Sequence, residues 1–144
     1  MLAFAYPATF EPDEDGRPVV SFPDFPHAHT DGKDDREAFE EAIDLLGSVI
    51  AKAISEKREI PAPSRLKRGQ RLVPVPFWIA SKLALYLEMK KQGVSNCELA
   101  RRLSVRETVV RRMLDPNRAT QAEKLQAALE VLGKHLAVSV RDAA

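Results

Sequence analysis

The sequence predicts an α+β fold, with an N-terminal sheet of three to four strands and one long helix, followed by an all-α C-terminal domain. Two observations carry this prediction. Apolar residues alternate with smaller or polar ones near the N-terminus, which is the period of half-buried strands. Apolar residues then recur at helical spacing from Phe39 onwards. A sheet covered by one helix, with a helical domain behind it, accounts for both periods.

The first strand is predicted from apolar residues at every second position, Leu2, Phe4, Tyr6, Ala8 and Phe10. The acidic turn at residues 11–16 (EPDEDG) predicts a hairpin that returns through residues 19–22. Prolines at positions 23 and 26 end that strand, because proline cannot donate a ladder hydrogen bond. A short third strand is expected at residues 28–30.

Asp34 and Glu37 form a predicted capping box that starts the long helix. Its apolar side consists of Phe39, Ala42, Ile43, Leu46, Val49, Ile50, Ala53 and Ile54. Residues 60–63 (IPAP) are expected to be extended, as an edge strand. Residues 64–75 begin with a basic run and are interpreted as a linker. These boundaries predict a first domain at residues 1–63 and a second at residues 76–144.

The second domain begins with a predicted helix at residues 77–92, which Gly93 can end in a left-handed cap. Ser95 and Glu98 then form a predicted capping box for a short helix. Two apolar stripes at helical spacing follow, one from Leu99, Ala100 and Leu103 and the other from Val110, Met113 and Leu114. Ser104 lies between them, where a turn often holds glycine, and it could itself cap the second short helix.

With Val110 and Met113 turned inward, Thr108, Arg111 and Arg112 fall on the opposite face of the second short helix. This pair of helices resembles the helix-turn-helix of phage-repressor-like regulators, whose second helix enters the DNA major groove. The predicted DNA-binding residues are Ser95, Arg106, Thr108, Arg111, Arg112 and Arg118. The alternative is an ordinary pair of core helices with a basic outer face.

The last helix is expected to begin at a capping box of Thr120 with Glu123 and to end at Gly133. Residues 135–140 (HLAVSV) alternate and are predicted to form a terminal strand. A lone strand is unstable, so this one is expected to pair with its twin across a dimer.

Charge is divided unequally along the chain. Residues 1–60 carry 6 Lys+Arg and 14 Asp+Glu, a net charge of −8, whereas residues 61–144 carry 16 and 7, a net charge of +9. This asymmetry predicts two partners of opposite charge, one of them nucleic acid. No apolar run reaches membrane-spanning length, the N-terminus lacks the basic region of a secretory signal, and the single cysteine, Cys97, excludes an internal disulfide. A cytoplasmic protein is expected.

The run YPATFEPDEDGRPVVSFPDFPHAHTDGKDDREAFEEAIDLL resembles the N-terminal domain of HicB antitoxins. Its markers are the acidic-Gly turn, the VSFPDFP segment, the TDG before the helix and E-A-x-E-x-A within it, followed by IPAP and VPVP. The resemblance covers nearly the whole chain. It implies a curtailed ribonuclease-H-like N-terminal fold, a HicA-type partner that is a small basic RNA-cleaving toxin, and repression of the toxin–antitoxin operon through operator DNA. A homodimer is expected because one such module reads only a few base pairs, with a tetramer left open.

An acidic surface complements a toxin that must itself be positive to grip RNA. The predicted toxin-binding residues lie in the acidic turn and in the segment that follows the second strand: Asp13, Glu14, Asp15, Phe22, Asp24, Phe25 and Asp31.

No catalytic, metal or cofactor site is predicted, and the chain is expected not to be an enzyme. A ribonuclease-H-like fold raises the possibility of nuclease chemistry, but the spacing of the acidic residues does not indicate that they converge on metal ions. His27 and His29 share a strand face without an obvious third ligand. Two contrasting functions remain open: a repressor whose acidic domain senses a small ligand, and a metal-dependent nuclease.

Overall fold

The computed structural model describes residues 4–142 and divides the chain into two compact units, Met1–Ala80 and Ser81–Ala144. The sheet and its helix come first: β1 (Ala5–Pro12), β2 (Pro18–Phe22), β3 (Phe25–Asp31), α1 (Asp35–Ser55) and β4 (Gln70–Pro74). Four helices follow: α2 (Phe77–Gln92), α3 (Asn96–Leu103), α4 (Glu107–Leu114) and α5 (Ala122–Val131). The predicted α+β class is confirmed. Leu2, which was assigned to the first strand, lies outside the described residues.

The four strands form one antiparallel sheet in the order β3-β2-β1-β4. β1 is central, since Thr9 lies opposite Ser21 of β2 and also opposite Gln70 of β4. β3 is longer than the predicted residues 28–30. It includes Pro26 because β3 is an edge strand, where a missing backbone donor costs no ladder hydrogen bond.

The prediction that residues 64–75 form a linker is wrong for residues 70–74, which are β4, and a domain ending at residue 63 would cut the sheet. The basic side chain of Arg71 explains the error, because its charge suggested a solvated segment. Its guanidinium instead lies 4.6 Å from the ring centre of Phe10 and 4.9 Å from that of Phe39, and it donates to Asp35 at 2.8 Å. An inward-pointing charge is a common feature of edge strands.

α1 begins at the predicted cap, because the Asp34 carboxylate accepts a hydrogen bond from the Glu37 backbone N–H at 2.9 Å. Its buried side consists of Ala38, Ala42, Leu46, Gly47, Ile50, Ala53 and Ile54, and this side contacts β2, β3 and β4. Gly47 permits close packing, since a Cβ atom there would lie 2.8 Å from Cγ of Pro76. The predicted amphipathic helix is therefore confirmed.

The chain after α1 is held to the sheet by two side chains. The Tyr6 hydroxyl donates to the carbonyl of Pro61 at 2.7 Å, and Asp24 accepts from both the backbone N–H and the hydroxyl of Ser64. Burial, with a smaller effect of the Asp24 charge, raises the pKa of Tyr6 to about 12. Residues 60–63 form no strand, contrary to prediction; β4 occupies the edge beside β1 instead.

The second unit has its own core between the helices. Its buried side chains are Leu85, Met89, Leu99, Ala100, Val110, Met113, Leu125, Ala128, Leu129 and Leu132. Gly93 adopts φ +66 after α2, as its predicted role as a left-handed cap requires. The two apolar stripes of α3 and α4 therefore face inward, as predicted.

The turn between α3 and α4 has a residue other than glycine in the left-handed conformation. Ser104 is the C-cap of α3 at φ 56, ψ 42, and its N–H reaches the carbonyls of Ala100 and Arg101. It does not cap α4, whose N-cap is Arg106 without a side-chain hydrogen bond. The capping box predicted at Thr120 is also wrong, because Gln121 is the N-cap of α5.

Residues 135–140 form no strand within the described chain. Leu136 packs against the core of the second unit, whereas Val138 and Val140 are 69% and 95% exposed. A strand that needs a partner from a second copy cannot form in one chain, so the predicted pairing remains a prediction.

In the loop between β3 and α1, position 32 requires glycine because the backbone of α1 lies very close to it. A Cβ atom on Gly32 would lie 2.3 Å from the backbone nitrogen of Ala38, whereas one on Gly16 would meet nothing within 4 Å. We expect Gly32→Ala to lower the free energy of unfolding by about 2–3 kcal/mol through overpacking. Gly16→Ala has only its left-handed φ against it and should cost about 1 kcal/mol. Urea denaturation measures both values, and an equal loss at the two sites would contradict the close approach.

The left-handed Ser104 gives the opposite expectation. We expect Ser104→Gly to raise the free energy of unfolding by about 0.5–1 kcal/mol, because glycine adopts this conformation without the steric cost. The matched control is Ser48→Gly in the interior of α1, which should lower it by about 0.5 kcal/mol. Thermal or urea unfolding of the two variants checks the signs; a loss of stability at position 104 would show that the serine has a compensating contact.

Candidate functional site

The outward face of α4 carries three of the predicted DNA-binding residues. Thr108, Arg111 and Arg112 are exposed, while Val110 and Met113 of the same helix are 0% and 5% exposed. This division follows from helical geometry, since residues three and four apart share a face. The helix orientation predicted from the sequence is therefore confirmed, and a short helix presents two arginines and a threonine to solvent.

Two further predicted residues lie at the ends of α4. Arg106 is exposed at its N-cap. Arg118 follows its C-terminal end, with a side chain 58% exposed and Nε 3.4 Å from Oδ2 of Asp115. Guanidinium groups at both ends of a helix suit contacts with DNA phosphates on either side of a groove.

Ser95 caps α3 rather than projecting freely, because its hydroxyl accepts a hydrogen bond from the Glu98 backbone N–H at 3.1 Å. The Glu98 carboxylate does not complete the predicted capping box and instead binds two arginines that sequence reasoning did not single out. Arg101 donates to it through Nε at 2.9 Å and Nη2 at 2.6 Å, and Arg102 through Nε at 2.9 Å. These hydrogen bonds, those from Arg101 foremost, hold the pKa of Glu98 at about 2. The i,i+3 and i,i+4 spacing was the available signal.

A buried lysine also supports the end of α4. Lys82 of α2 is 3% exposed and donates to the backbone carbonyls of Asp115 and Arg118 and to the hydroxyl of Thr120. Burial lowers the pKa of Lys82, and the Asp115 charge opposes that shift. Sequence reasoning missed this lysine, although its spacing of three residues from Ile79 and four from Tyr86 places it on the buried side of α2.

The acidic turn between β1 and β2 divides its carboxylates between two roles. The Asp13 carboxylate accepts hydrogen bonds from the backbone N–H groups of Asp15 and Arg17, at 2.9 and 2.8 Å. It therefore builds the turn. Glu14 and the Asp15 side chain are exposed at its tip, so they are the carboxylates available to a partner.

The remaining predicted toxin-binding residues differ in their exposure and contacts. Phe22 is 1% exposed, so it belongs to the core and we withdraw it from the predicted set. Phe25 is half-buried against Tyr6, with ring centres 5.0 Å apart. Asp24 is engaged with the chain after α1, as described above. Asp31 is exposed at the end of β3, and its Oδ2 lies 3.3 Å from Nη2 of Arg17.

His27 and His29 are exposed on β3. Among residues 4–142, no group of three or more His, Cys, Asp or Glu side chains could hold a metal ion. Cys97 is exposed near the start of α3. None of the helices in the described part of the chain is long and apolar enough to cross a membrane.

Comparisons with known proteins agree with this architecture. The family model described as "HicB_like antitoxin of bacterial toxin-antitoxin system" matches residues 5–84, which include the whole sheet and α1. Antitoxin HicB 2 of Photorhabdus laumondii is 40% identical over 131 residues, covering 91% of this chain and 92% of that protein. Antitoxin HicB 1 of the same organism is 33% identical, covering 94% and 86%.

Antitoxin HicB of Escherichia coli K12 is 33% identical over 133 residues, covering 92% of this chain and 96% of that protein. These matches extend through the helical second unit as well as the sheet. The chain thus belongs to the HicB-like antitoxin family of bacterial toxin–antitoxin systems.

Proposed function

We propose that this antitoxin neutralises a small basic HicA-type mRNA-cleaving toxin through its first unit and represses its own operon through its second. The observation that carries the second half is the outward set of Thr108, Arg111 and Arg112 on α4, backed by a buried core. The first half rests on membership in an antitoxin family whose matched region covers the sheet. No catalytic step is part of this proposal.

The division of charge supports two partners, although the difference in net charge between the two units is smaller than the difference between the two halves of the sequence. Residues 1–80 carry 10 Lys+Arg and 14 Asp+Glu, a net charge of −4, and residues 81–144 carry 12 and 7, a net charge of +5. The difference from the earlier halves arises because the four basic residues between 64 and 73 belong to the first unit. Its acidity is therefore local, and the turn tip at Glu14 and Asp15 is the best candidate for attracting a basic toxin.

Operator binding is proposed to involve a homodimer, because one recognition helix reads only a few base pairs and two half-sites one helical turn apart are the usual arrangement. The exposed Val138 and Val140 near the C-terminus are available for contact with a second copy. Whether dimers associate further into tetramers is a separate question that gel filtration of the antitoxin alone and with operator DNA would answer.

The turn tip generates a kinetic prediction. We expect the double variant Glu14→Lys, Asp15→Lys to associate with the toxin about tenfold more slowly at low salt, because it removes electrostatic steering. The dissociation rate should change less if the turn is at the rim of the interface. Surface plasmon resonance against the toxin encoded in the same operon measures both rates.

The matched control is Glu40→Lys, Asp44→Lys, which makes the same change in net charge on the exposed side of α1. It should slow association less than the turn variant. Equal slowing by both variants would mean that only net charge matters and that the turn is not part of the toxin-facing surface. A large rise in the dissociation rate of the turn variant would place the turn at the interface centre.

The outward face of α4 generates a specificity prediction. An arginine that binds guanine through two hydrogen bonds discriminates against the wrong base by about 1–3 kcal/mol, whereas a phosphate contact carries no sequence information. We therefore expect Arg111→Ala or Arg112→Ala to reduce the ratio of operator to random-duplex affinity. Arg118→Ala should weaken both duplexes alike and flatten the salt dependence.

Titrations of operator and random duplexes at several salt concentrations separate these effects, and toxin binding serves as the control because all three arginines lie outside the first unit. Variants at 111 and 112 that retain the affinity and selectivity of the original chain would exclude α4 as the recognition helix.

A further inference from the structure

Lys82 is a buried cation, and the groups that accept its hydrogen bonds all lie in the connection that follows α4. Its ammonium group is almost completely removed from water, and burying a charge is costly unless hydrogen bonds replace the lost hydration. All three ammonium donors have an acceptor: the carbonyl of Asp115, the carbonyl of Arg118 at 2.6 Å and the hydroxyl of Thr120 at 3.0 Å. Every acceptor comes from the connection between α4 and α5, residues 115–121.

This connection carries a predicted phosphate contact. Asp115 is the C-cap of α4, and its carboxylate accepts from the backbone N–H of Asn117 at 2.9 Å. Oδ2 of the same carboxylate lies 3.4 Å from Nε of Arg118. The backbone N–H of Arg118 donates to the backbone carbonyl of Asp115 at 3.1 Å. Lys82 thus binds the backbone on both sides of the turn that presents the Arg118 guanidinium.

Two consequences follow from the position of the charge. The ammonium group lies at the C-terminal end of α4, where a cation interacts favourably with the helix dipole. It also orders residues 115–118 in the free protein, so that their conformational entropy is already lost before DNA is bound. A guanidinium on an ordered turn loses less freedom on binding phosphate than one on a mobile loop.

We propose that Lys82 is a positioning residue for the DNA interface: it never touches DNA but fixes the turn that presents Arg118 beside the C-terminal end of α4. The inference rests on the proposed DNA-binding function of the second unit. It assigns to an interior residue of α2 part of the affinity for the DNA backbone.

The test is a pair of double-mutant cycles in the 144-residue chain, measured as binding to operator and random duplexes at several salt concentrations. Lys82→Met retains the length of the apolar stem and removes all three hydrogen bonds. We expect it to weaken both duplexes alike and to reduce the slope of log affinity against log salt by about one, as loss of one phosphate contact does.

Combined with Arg118→Ala, Lys82→Met should add little further loss, because the guanidinium that it positions is already absent. Combined with Arg106→Ala at the other end of α4, the two losses should multiply, because Arg106 has no part in the turn. If Lys82 only stabilised the fold, the loss of DNA affinity caused by Lys82→Met would multiply with the losses caused by Arg118→Ala and by Arg106→Ala. The same result in both cycles therefore overturns the proposal. Unchanged DNA binding by Lys82→Met overturns it as well.

Thr120→Val is the second variant, for the case that Lys82→Met does not fold. It removes one acceptor with little change of shape and leaves α2 intact, so we expect the same coupling pattern at smaller amplitude; additive behaviour with Arg118→Ala counts against the proposal. Thermal unfolding verifies that each variant is folded, and toxin binding verifies that the first unit is unaffected. If Arg118→Ala weakens DNA binding but Lys82 and Thr120 do not couple to it, only this inference fails. If Arg118→Ala binds DNA like the original chain, this inference fails while the proposed DNA function still rests on α4. If the original chain binds no operator, the two fail together.

Discussion

The first unit depends on covering one face of a four-stranded sheet with a single helix. α1 does so with small residues where it approaches the sheet loop, such as Ala38, and with larger ones such as Leu46 and Ile50 further along, all 0% exposed. Full burial of side chains of the larger kind contributes about 1.5–3 kcal/mol each. The same arrangement constrains the chain that follows. It must return from the end of α1 to the free edge of β1, and the bonds to Pro61 and Ser64 guide that return.

Both units separate charges that hold the structure from charges that face solvent. Asp13 is committed to the backbone of the hairpin turn, which leaves Glu14 at the tip for a partner. Glu98 in α3 is committed to Arg101 and Arg102, whereas α4 directs its arginines outward beside a threonine. A count of charged residues therefore overstates the charge that a partner meets.

Periodicity made most of the fold predictable, and exceptions to local rules account for the rest. The orientation of α4 follows from spacing alone, and the hairpin and α1 follow from spacing together with the turn and cap residues at their ends. β4 was missed because the basic Arg71 suggested a solvent-exposed segment. Its guanidinium instead packs against two aromatic rings and forms an ion pair with a carboxylate of α1. Ser104 was expected to be a possible start of α4, because serine is a good N-cap. In the structure it is instead the left-handed C-cap residue of α3. Phe22 shares a strand face with Val20, and Lys82 shares a helix face with Ile79. Periodicity thus indicated a common face for each, but how completely that face is covered depends on tertiary packing.

The bonds made by Lys82 also bear on how such a protein can diversify. Two of its three acceptors are main-chain carbonyls, which are present whichever amino acid occupies positions 115 and 118. Substitutions in the connection can therefore alter its outward chemistry while the support from α2 persists. The fold of the second unit is thereby made less dependent on which side chains the connection carries than a support built from side-chain acceptors alone would be.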